Sequence, residues 1–216
     1  IFLCISFYNL PLKNYVRFSE KKDVQIKQNM KYALSGYKFL KENVFNYTHT
    51  MYYFDNKVIQ KFVLNISNND FAHLCGIEYL NGNKNFGKDL MANRVNWDKV
   101  MIKKDGTTLL KLSVISSIHL LFTTNAQLES GGRCLDLVYD KMLRTNRLIL
   151  GIGCKQLNSD NHIPLSLLDL RKFQRDRKKV NRYDIVCVIR KNKQNNQHEL
   201  LECVDSFDAG VLGIAF

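Results

Sequence analysis

Residues 50–67 carry the pattern that most constrains the fold, because two runs rich in β-branched and aromatic residues enclose a short polar pair. The pair, Asp55-Asn56, suits a tight turn. Most alternate positions of the second run, VIQKFVLNI, are apolar, as in a half-buried strand. The stretch therefore predicts a β-hairpin.

The segments around this hairpin divide the chain into a helical part and a strand-rich part. Before the hairpin, residues 20–46 carry an approximate apolar stripe, which predicts a packed helix with a basic outer face. After it, helices are predicted in residues 93–104 and 107–128, while residues 133–143 suit either a helix or a strand. Strands or extended segments are predicted at 147–155, 162–170, 183–190 and 199–207. This order predicts an α+β domain with a mainly antiparallel sheet.

The chain is strongly basic, with a net charge of +12 and a pI near 9.4. Such a balance favours anionic partners, of which nucleic acid and an anionic membrane surface are the usual ones. A Lys-rich and Asn-rich proteome would give the same charge without any such partner. Charge alone therefore leaves both explanations open.

The six cysteines are scattered, and none forms a C-x-x-C pair or has a histidine at zinc-finger spacing. Several of them, including Cys187 and Cys203, lie in apolar runs where a free thiol behaves as a small buried hydrophobe. This usage predicts no metal site and a reducing cytoplasm.

The opening stretch IFLCISFYNLP is apolar but only about half as long as a bilayer-spanning helix. It lacks a basic flank and an initiator methionine, so the chain is open to being a fragment. A truncated signal or membrane segment and a buried strand both fit this stretch. No membrane span is predicted in the rest of the sequence.

No residue pattern indicates nucleotide-cofactor or metal-dependent chemistry. The sequence holds no P-loop, dinucleotide-binding fingerprint, nucleophile elbow or HExxH motif, and no carboxylate pair at a useful spacing. Histidine, lysine, arginine, serine and tyrosine remain, and these suffice for metal-independent RNA cleavage. In that reaction a base takes the 2′-hydroxyl proton, an acid protonates the leaving 5′-oxygen and cations stabilise the phosphorane. We therefore expect no cofactor.

The stretch NNDFAHLCGI, residues 68–77, contains the strongest acid–base candidate. Cap-forming residues precede apolar residues at helical spacing, so a helix is predicted. His73 lies within it and titrates near neutrality when unperturbed, which suits a general acid or base. A packed core histidine is the alternative. Gly76 allows close approach of a backbone or ligand, or it simply ends the helix.

Polar and cationic residues in the second half of the chain are candidates for phosphate binding. Lys155 ends the glycine-containing run LILGIGCK, and Ser166 follows a proline. Residues 171–182 are densely basic and form either a groove wall for RNA or a solvated face. The candidate nucleic-acid-binding residues are Arg171, Arg175, Arg177, Lys178 and Arg182.

The order of these elements resembles a known nuclease family. The hairpin leads into F-x-H-L-x-G-I, followed by KLSVISSIHLLF, LILGIG, IPLSLL and YDIVCVI. Over residues 50–205 the chain resembles the fourth phage-type nuclease family of the barnase–EndoU–colicin–RelE-like superfamily, found in prophages and mobile elements of Gram-positive bacteria. The resemblance implies helices packed on a four- to five-stranded, mainly antiparallel sheet and metal-independent endoribonuclease activity. It also implies site residues: His73 matches the family histidine, and Lys111, Gly151 and Ser166 fall near recurrent positions.

We predict a cytoplasmic, metal-independent endoribonuclease of toxin or effector type that originates from a prophage or mobile element. Its predicted catalytic residues are His73 as general base or acid, Lys155 or Lys111 to stabilise the phosphate, and Ser166 to orient it. Its expected products carry 2′,3′-cyclic phosphates, and its expected partners are RNA and an immunity or antitoxin protein, without a membrane. The nuclease domain is predicted over residues 48–216, after an N-terminal helical extension over residues 1–47. The alternative is a non-catalytic nucleic-acid-binding or partner-binding module on the same fold.

Overall fold

The computed structural model describes residues 12–134, 137–171 and 180–216, in which β-strands dominate. The α-helices are α1 (Val24–Asn43), α2 (Asp70–Leu74), α3 (Asn83–Met91) and α4 (Thr107–Leu112). Short 3-10 helices span Leu12–Asn14, Trp97–Lys99, Ile115–Phe122 and Ala209–Leu212. The strands are β1 (Tyr15–Arg17), β2 (Tyr47–Asp55), β3 (Val58–Leu64), β4 (Ile77–Tyr79), β5 (Val100–Lys103), β6 (Ala126–Cys134), β7 (Leu137–Thr145), β8 (Leu150–Gln156), β9 (Asn161–Asp169), β10 (Arg182–Asn192) and β11 (His198–Cys203).

Seven of these strands form a closed, mixed β-barrel. Neighbouring strands follow the order β10-β2-β3-β9-β8-β7-β6, and the start of β10 pairs again with β6, which closes the ring. The β3–β9 pair is parallel and the other pairs are antiparallel. β11 adds an outer strand on β10, and β1, β5 and β4 form a separate antiparallel sheet. The prediction of helices packed on a four- to five-stranded, mainly antiparallel sheet is therefore wrong.

That prediction failed because the barrel depends on pairings between distant parts of the chain. Closure joins Arg182–Asp184 to Gln127–Glu129, which lie far apart in the sequence. In addition, β6 has the sequence AQLESGGRC, which is polar and contains two glycines. Its sequence therefore lacks the apolar alternation by which a strand is recognised.

Two of the predicted helices are also wrong. Residues 93–104 form a 3-10 turn followed by β5, in which Val100 and Ile102 are buried while the alternate residues are partly exposed. Residues 107–128 are divided between α4, the 3-10 helix Ile115–Phe122 and the start of β6. Short apolar runs of this kind fit a helix or a strand equally well, and tertiary pairing decides between them.

The predicted hairpin is confirmed as β2 and β3, which pair antiparallel up to Asp55 and Val58. Its turn is centred on Asn56 and Lys57, one residue later than predicted, and both have positive φ angles of 49° and 67°. This is the backbone geometry of the two-residue turns that match the twist of paired strands. The helix predicted within residues 20–46 is also present, as α1.

One main hydrophobic core joins the barrel to the helices. All seven barrel strands contribute buried side chains to it, as do α1, α2 and the 3-10 helix Ile115–Phe122. The short helices α2 and α4 also pack against β9. This packing fixes α2 and α4 relative to β9, and the space between these three elements forms the candidate site.

Cys187 on β10 and Cys203 on β11 are directly paired residues and form a disulfide. The expectation that both are buried free thiols is therefore wrong, because the strand register that joins them is not visible in the sequence. None of the helices in the described part of the chain has the length and apolar character needed to traverse a lipid bilayer.

Candidate active site between α2, α4 and β9

A cavity of about 370 Å³ opens between α2, α4 and β9. The polar part of its wall carries His73, Lys103, Asp105, Thr107, Lys111, Ser166 and Asp169. The apolar part carries Leu110, Cys134, Leu137, Leu165, Leu167 and Leu168. A cavity in which several titratable groups converge is the default candidate for chemistry.

His73 is fixed by α2, a short helix in which every residue is buried. The Asp70 carboxylate accepts hydrogen bonds of 2.7 Å from both the backbone N–H and the hydroxyl of Ser67, which secures the start of the helix. The helix ends at Leu74, and Gly76, two residues later, turns the chain into β4 with its φ of +73°. His73 therefore lies on a rigid turn rather than on a loop.

The hydrogen bond of the His73 ring determines its tautomer. Nε2 lies 2.6 Å from the carbonyl oxygen of Leu165 on β9. Because a carbonyl oxygen only accepts, Nε2 carries the hydrogen, and in the neutral ring the lone pair lies on Nδ1. Burial, followed by the charge of Lys111, lowers the pKa of His73 to about 4. The ring is therefore neutral at pH 7, and Nδ1 is its unprotonated nitrogen.

Lys111 on α4 brings a cation into the same cavity. It is 6% exposed, and burial together with the charge of Lys103 lowers its pKa to about 8. Gly76 leaves room for this side chain, because a Cβ at that position would lie 3.1 Å from Lys111 Cδ. A lysine with such a pKa can bind an anion and also release a proton near neutral pH.

Lys103 and Asp105 lie together where β5 ends. The Lys103 ammonium lies 4.1 Å from the centre of the Tyr15 ring, and burial lowers the pKa of Lys103. Oδ1 of Asp105 accepts hydrogen bonds of 2.9 and 2.7 Å from the N–H and hydroxyl of Thr107. Burial raises the pKa of Asp105, but these hydrogen bonds and the charge of Lys103 outweigh it and hold that pKa below the usual value.

Thr108 connects three segments of the site. Its buried hydroxyl donates a 2.7 Å hydrogen bond to the carbonyl oxygen of Gly76 and accepts a 2.9 Å hydrogen bond from the N–H of Lys103. One side chain thus links the turn after His73, the end of β5 and the first turn of α4. This link fixes the position of His73 relative to Lys111.

β9 supplies the opposite wall, where Ser166 is half-buried and Asp169 is buried. Arg171 donates to both carboxylate oxygens of Asp169 at 2.9 and 2.7 Å. The same guanidinium donates a 2.6 Å hydrogen bond to the hydroxyl of Ser113, at the end of α4. Arg171 therefore balances the charge of Asp169 and clamps α4 to β9.

Three of the four predicted catalytic residues, His73, Lys111 and Ser166, line this cavity. The fourth, Lys155, is exposed on β8 and is not among the described residues that line it. The structure thus brings a base candidate, a cation and a hydroxyl together, and their catalytic roles stay predictions.

The predicted RNA-binding residues are distributed differently. Arg171 lies next to the cavity wall through Asp169. Arg182 begins β10, is half-exposed and lies 3.5 Å from a buried glutamate of β6. The other three, Arg175, Arg177 and Lys178, lie outside the described residues.

Sequence reasoning missed Lys103, Asp105 and Asp169 as members of the site. Lys103 is one of 32 cationic residues and no local pattern distinguishes it. Asp105 precedes a glycine and fits a surface turn. Asp169 carried a weak signal, because a carboxylate within the apolar run IPLSLLDL needs a partner when it is buried.

The polar wall can bind an anion and move protons. Two lysines supply positive charge, a neutral imidazole supplies a lone pair, and both carboxylates are engaged by hydrogen bonds from neighbouring side chains. In residues 12–134, 137–171 and 180–216, no three His, Cys, Asp or Glu side chains are grouped as a metal site requires. Groups of this kind are suited to chemistry on an anionic ester such as a phosphodiester.

Comparison with protein families identifies the family to which the chain belongs. Residues 33–205 match the family described as phage-Barnase-EndoU-ColicinE5/D-RelE like nuclease4. Because the match covers most of the chain, the chain belongs to this family of phage-type nucleases, and the resemblance drawn from its motifs is confirmed. No curated protein and no solved structure matches the chain.

Proposed function

We propose that the chain is a metal-independent endoribonuclease that leaves 2′,3′-cyclic phosphate ends. The observation that carries this proposal is the meeting of neutral, buried His73 with Lys103 and Lys111 in one cavity of a chain from a nuclease family. A base and cations at one point are what internal cleavage of RNA needs, because the nucleophile is part of the substrate.

In this reaction His73 is the base and Lys111 is the acid. Nδ1 of His73 takes the proton of the 2′-hydroxyl, and the 2′-oxygen forms a bond to phosphorus. The bond between phosphorus and the 5′-oxygen breaks, and Lys111 gives that oxygen its proton. Lys103 stabilises the charge of the phosphorane, and Ser166 orients the phosphate. The products are a 2′,3′-cyclic phosphate and a 5′-hydroxyl.

Two features support chemistry without a metal ion. Lys103 and Lys111 provide the positive charge that a metal ion provides in metal-dependent nucleases. Both carboxylates of the wall are already occupied, since Asp105 is bound by Thr107 and Asp169 by Arg171. The groups that remain for the substrate are cationic or neutral.

RNA is the proposed substrate because the attacking 2′-hydroxyl is absent from DNA. The proposed contacts to its backbone are Arg171, Arg175, Arg177, Lys178 and Arg182, with Lys155 as a phosphate contact outside the cavity. An immunity or antitoxin protein that covers the cavity is a further proposed partner, because a toxin-type nuclease must be silenced in the cell that makes it.

A cytoplasmic site of action also belongs to the proposal, because cellular RNA lies there. The disulfide between Cys187 and Cys203 is typical of oxidising compartments instead. The cytoplasm and an oxidising compartment are distinguished by titrating the thiols, in denaturant, of protein isolated from its native cells. Because the chain has six cysteines, six reactive thiols support the cytoplasm, and four support an oxidising compartment.

The test is cleavage of a labelled RNA in EDTA by the wild type, His73→Ala and Lys111→Met. His119→Ala is the matched control, because His119 is exposed on the 3-10 helix and is not among the described cavity residues. We expect cyclic phosphate ends from the wild type and the control. The other two variants should lose about 10²- to 10⁴-fold in rate, the usual worth of a general acid or base.

Other outcomes of this assay would overturn the proposal. Cleavage that disappears in EDTA would refute metal independence. Unimpaired cleavage by His73→Ala would remove His73 from the chemistry. Salt-sensitive RNA binding by a wild type that does not cleave would instead favour the non-catalytic binding module.

A further inference from the structure

Strand β1 precedes the residues that match the nuclease family, yet it is part of the sheet that carries the cavity. The family match begins at residue 33, whereas β1 pairs antiparallel with β5 in continuous register. Just after β1, the ring of Phe18 packs on Trp97 with ring centres 4.9 Å apart. Backbone contacts therefore dock this segment on β5, and a side-chain contact docks it on the 3-10 helix that precedes β5.

The register places Tyr15 directly opposite Lys103. Lys103 Nζ lies 4.1 Å from the centre of the Tyr15 ring, which is the geometry of a cation–π contact. Tyr15 is 4% exposed, and its hydroxyl is buried without a hydrogen-bond partner in the described part of the chain. The face of the ring, rather than the hydroxyl, is therefore what Tyr15 contributes.

Lys103 needs such support to act at the cavity. A lysine ammonium sits on a flexible four-carbon stem, so one fixed position costs conformational entropy. Lys103 also lies near the like charge of Lys111, whose pKa it helps to lower. The attraction between the Tyr15 ring and the Lys103 ammonium offsets both costs.

We propose that Tyr15 is a positioning residue that holds the Lys103 ammonium in the cavity, where it binds a phosphate group of the substrate. The segment that precedes the family-matched region is then part of the active unit rather than a separate extension. The identity of the bound group rests on the proposed function, whereas the placement of Lys103 by Tyr15 does not.

The test compares full-length Tyr15→Leu and Tyr15→Phe with the wild type, and uses Tyr32→Leu as the matched control. Tyr32 also lies under a lysine, Lys31, at 5.1 Å, but it is exposed on α1 and distant in sequence from the cavity residues. The probe is a single-stranded 2′-O-methyl RNA oligonucleotide, which lacks a free 2′-hydroxyl and is not cleaved.

We expect Tyr15→Leu to weaken binding of the probe about fivefold, as for loss of a partly desolvated cation–π contact. In cleavage assays we expect KM to rise and kcat to fall, because in the proposed reaction Lys103 binds the phosphate group and also stabilises the phosphorane. Tyr15→Phe keeps the ring and should restore the wild-type affinity. Equal affinities of Tyr15→Leu and the wild type would overturn the proposal.

Labelling of Lys103 gives a readout that needs neither RNA nor cleavage. We expect an amine-acylating reagent, with sites located by mass spectrometry, to modify Lys103 faster in Tyr15→Leu than in the wild type or Tyr32→Leu. Unchanged labelling refutes the positioning role even if the protein cleaves RNA. Faster labelling in a protein that does not cleave RNA refutes the proposed function and supports the positioning role.

A double-mutant cycle distinguishes an effect of Tyr15→Leu through Lys103 from a general loss of folding. Lys103→Gln removes the cation and should weaken probe binding at least as much as Tyr15→Leu does. In the Lys103→Gln background, Tyr15→Leu should cause no further loss. Additive losses would overturn the proposal, because they would show that Tyr15 does not act through Lys103.

Discussion

His49 is a buried imidazole that we expect to control stability in mild acid. It is 1% exposed on β2, its ring centre lies 4.7 Å from that of Phe122, and its Nδ1 has no hydrogen-bond partner among the described residues. Burial, followed by the charges of Arg190 and Lys193, lowers its pKa from 6.5 to about 3. The folded protein therefore disfavours the proton that the unfolded chain accepts readily.

The sign and size of the effect follow from this difference in pKa. Because the folded-state pKa is the lower one, the unfolded state binds more protons, and stability falls as the pH drops below about 6.5. For this one group, the free energy of unfolding should decrease by about 2 kcal/mol between pH 7 and pH 5. His73, with a pKa of about 4, contributes a similar loss. The sum, about 4 kcal/mol, is a large fraction of a typical stability of about 5–15 kcal/mol.

The perturbation is His49→Phe, which keeps a ring against Phe122 and removes both the titratable group and the unpartnered nitrogen. Urea unfolding at pH 7 and pH 5 gives the free energy of unfolding of each protein, with His119→Phe at an exposed position as the control. We expect the pH-dependent loss to be about 2 kcal/mol smaller in His49→Phe than in the wild type. An equal loss in both proteins would refute the reasoning, because it would show that His49 binds protons alike in both states.

Three further predictions concern the packing around the cavity. Gly76→Ala places a side chain at a φ of +73°, with its Cβ 3.1 Å from Lys111 Cδ. We expect the free energy of unfolding, measured by thermal unfolding, to fall by about 1–2 kcal/mol, and RNA cleavage to slow. An unchanged melting temperature would contradict it. Thr108→Val removes two hydrogen bonds of a buried hydroxyl and should cost about 1–3 kcal/mol in urea unfolding, whereas Thr108→Ser should recover most of the loss. Equal stabilities of these two variants would show that the hydroxyl is not what matters. Gly87→Ala would push a methyl group into the ring of Tyr37, and we expect the free energy of unfolding in urea to fall by about 1–3 kcal/mol. An unchanged free energy of unfolding would mean that α3 moves away from α1 at no cost.

Local signals in the sequence were sufficient for elements that neighbouring residues determine. The β2–β3 hairpin and α1 each depend on short-range spacing, and both were predicted. The barrel was not, because its closure pairs Arg182–Asp184 with Gln127–Glu129 and its β3–β9 pair is parallel across a long connection. Pairings of this kind leave no periodic trace in either partner strand.

The candidate site was predictable where a residue type is rare and chemically distinctive. His73 is one of five histidines and lies in a helix start with an unusual glycine, and Lys111 and Ser166 came from the family resemblance. Lys103 and Tyr15 were out of reach, because their relation depends on the register of β1 and β5. The glycine-containing run before Lys155 indicated a phosphate-binding position. Lys155 instead lies near the end of β8 and is not among the described residues that line the cavity.

The β10–β6 pairing that closes the barrel determines when the barrel can be completed during synthesis. Residues 182–192 form β10, the strand that joins β2 to β6, so the ring stays open until that segment has left the ribosome. Until then β6, which carries Glu129, lacks the partner strand that β10 supplies in the finished barrel. Long-range pairings form late and slowly. A nascent chain therefore carries an open barrel until residues 182–192 have been made, although the described residues that line the cavity all precede them.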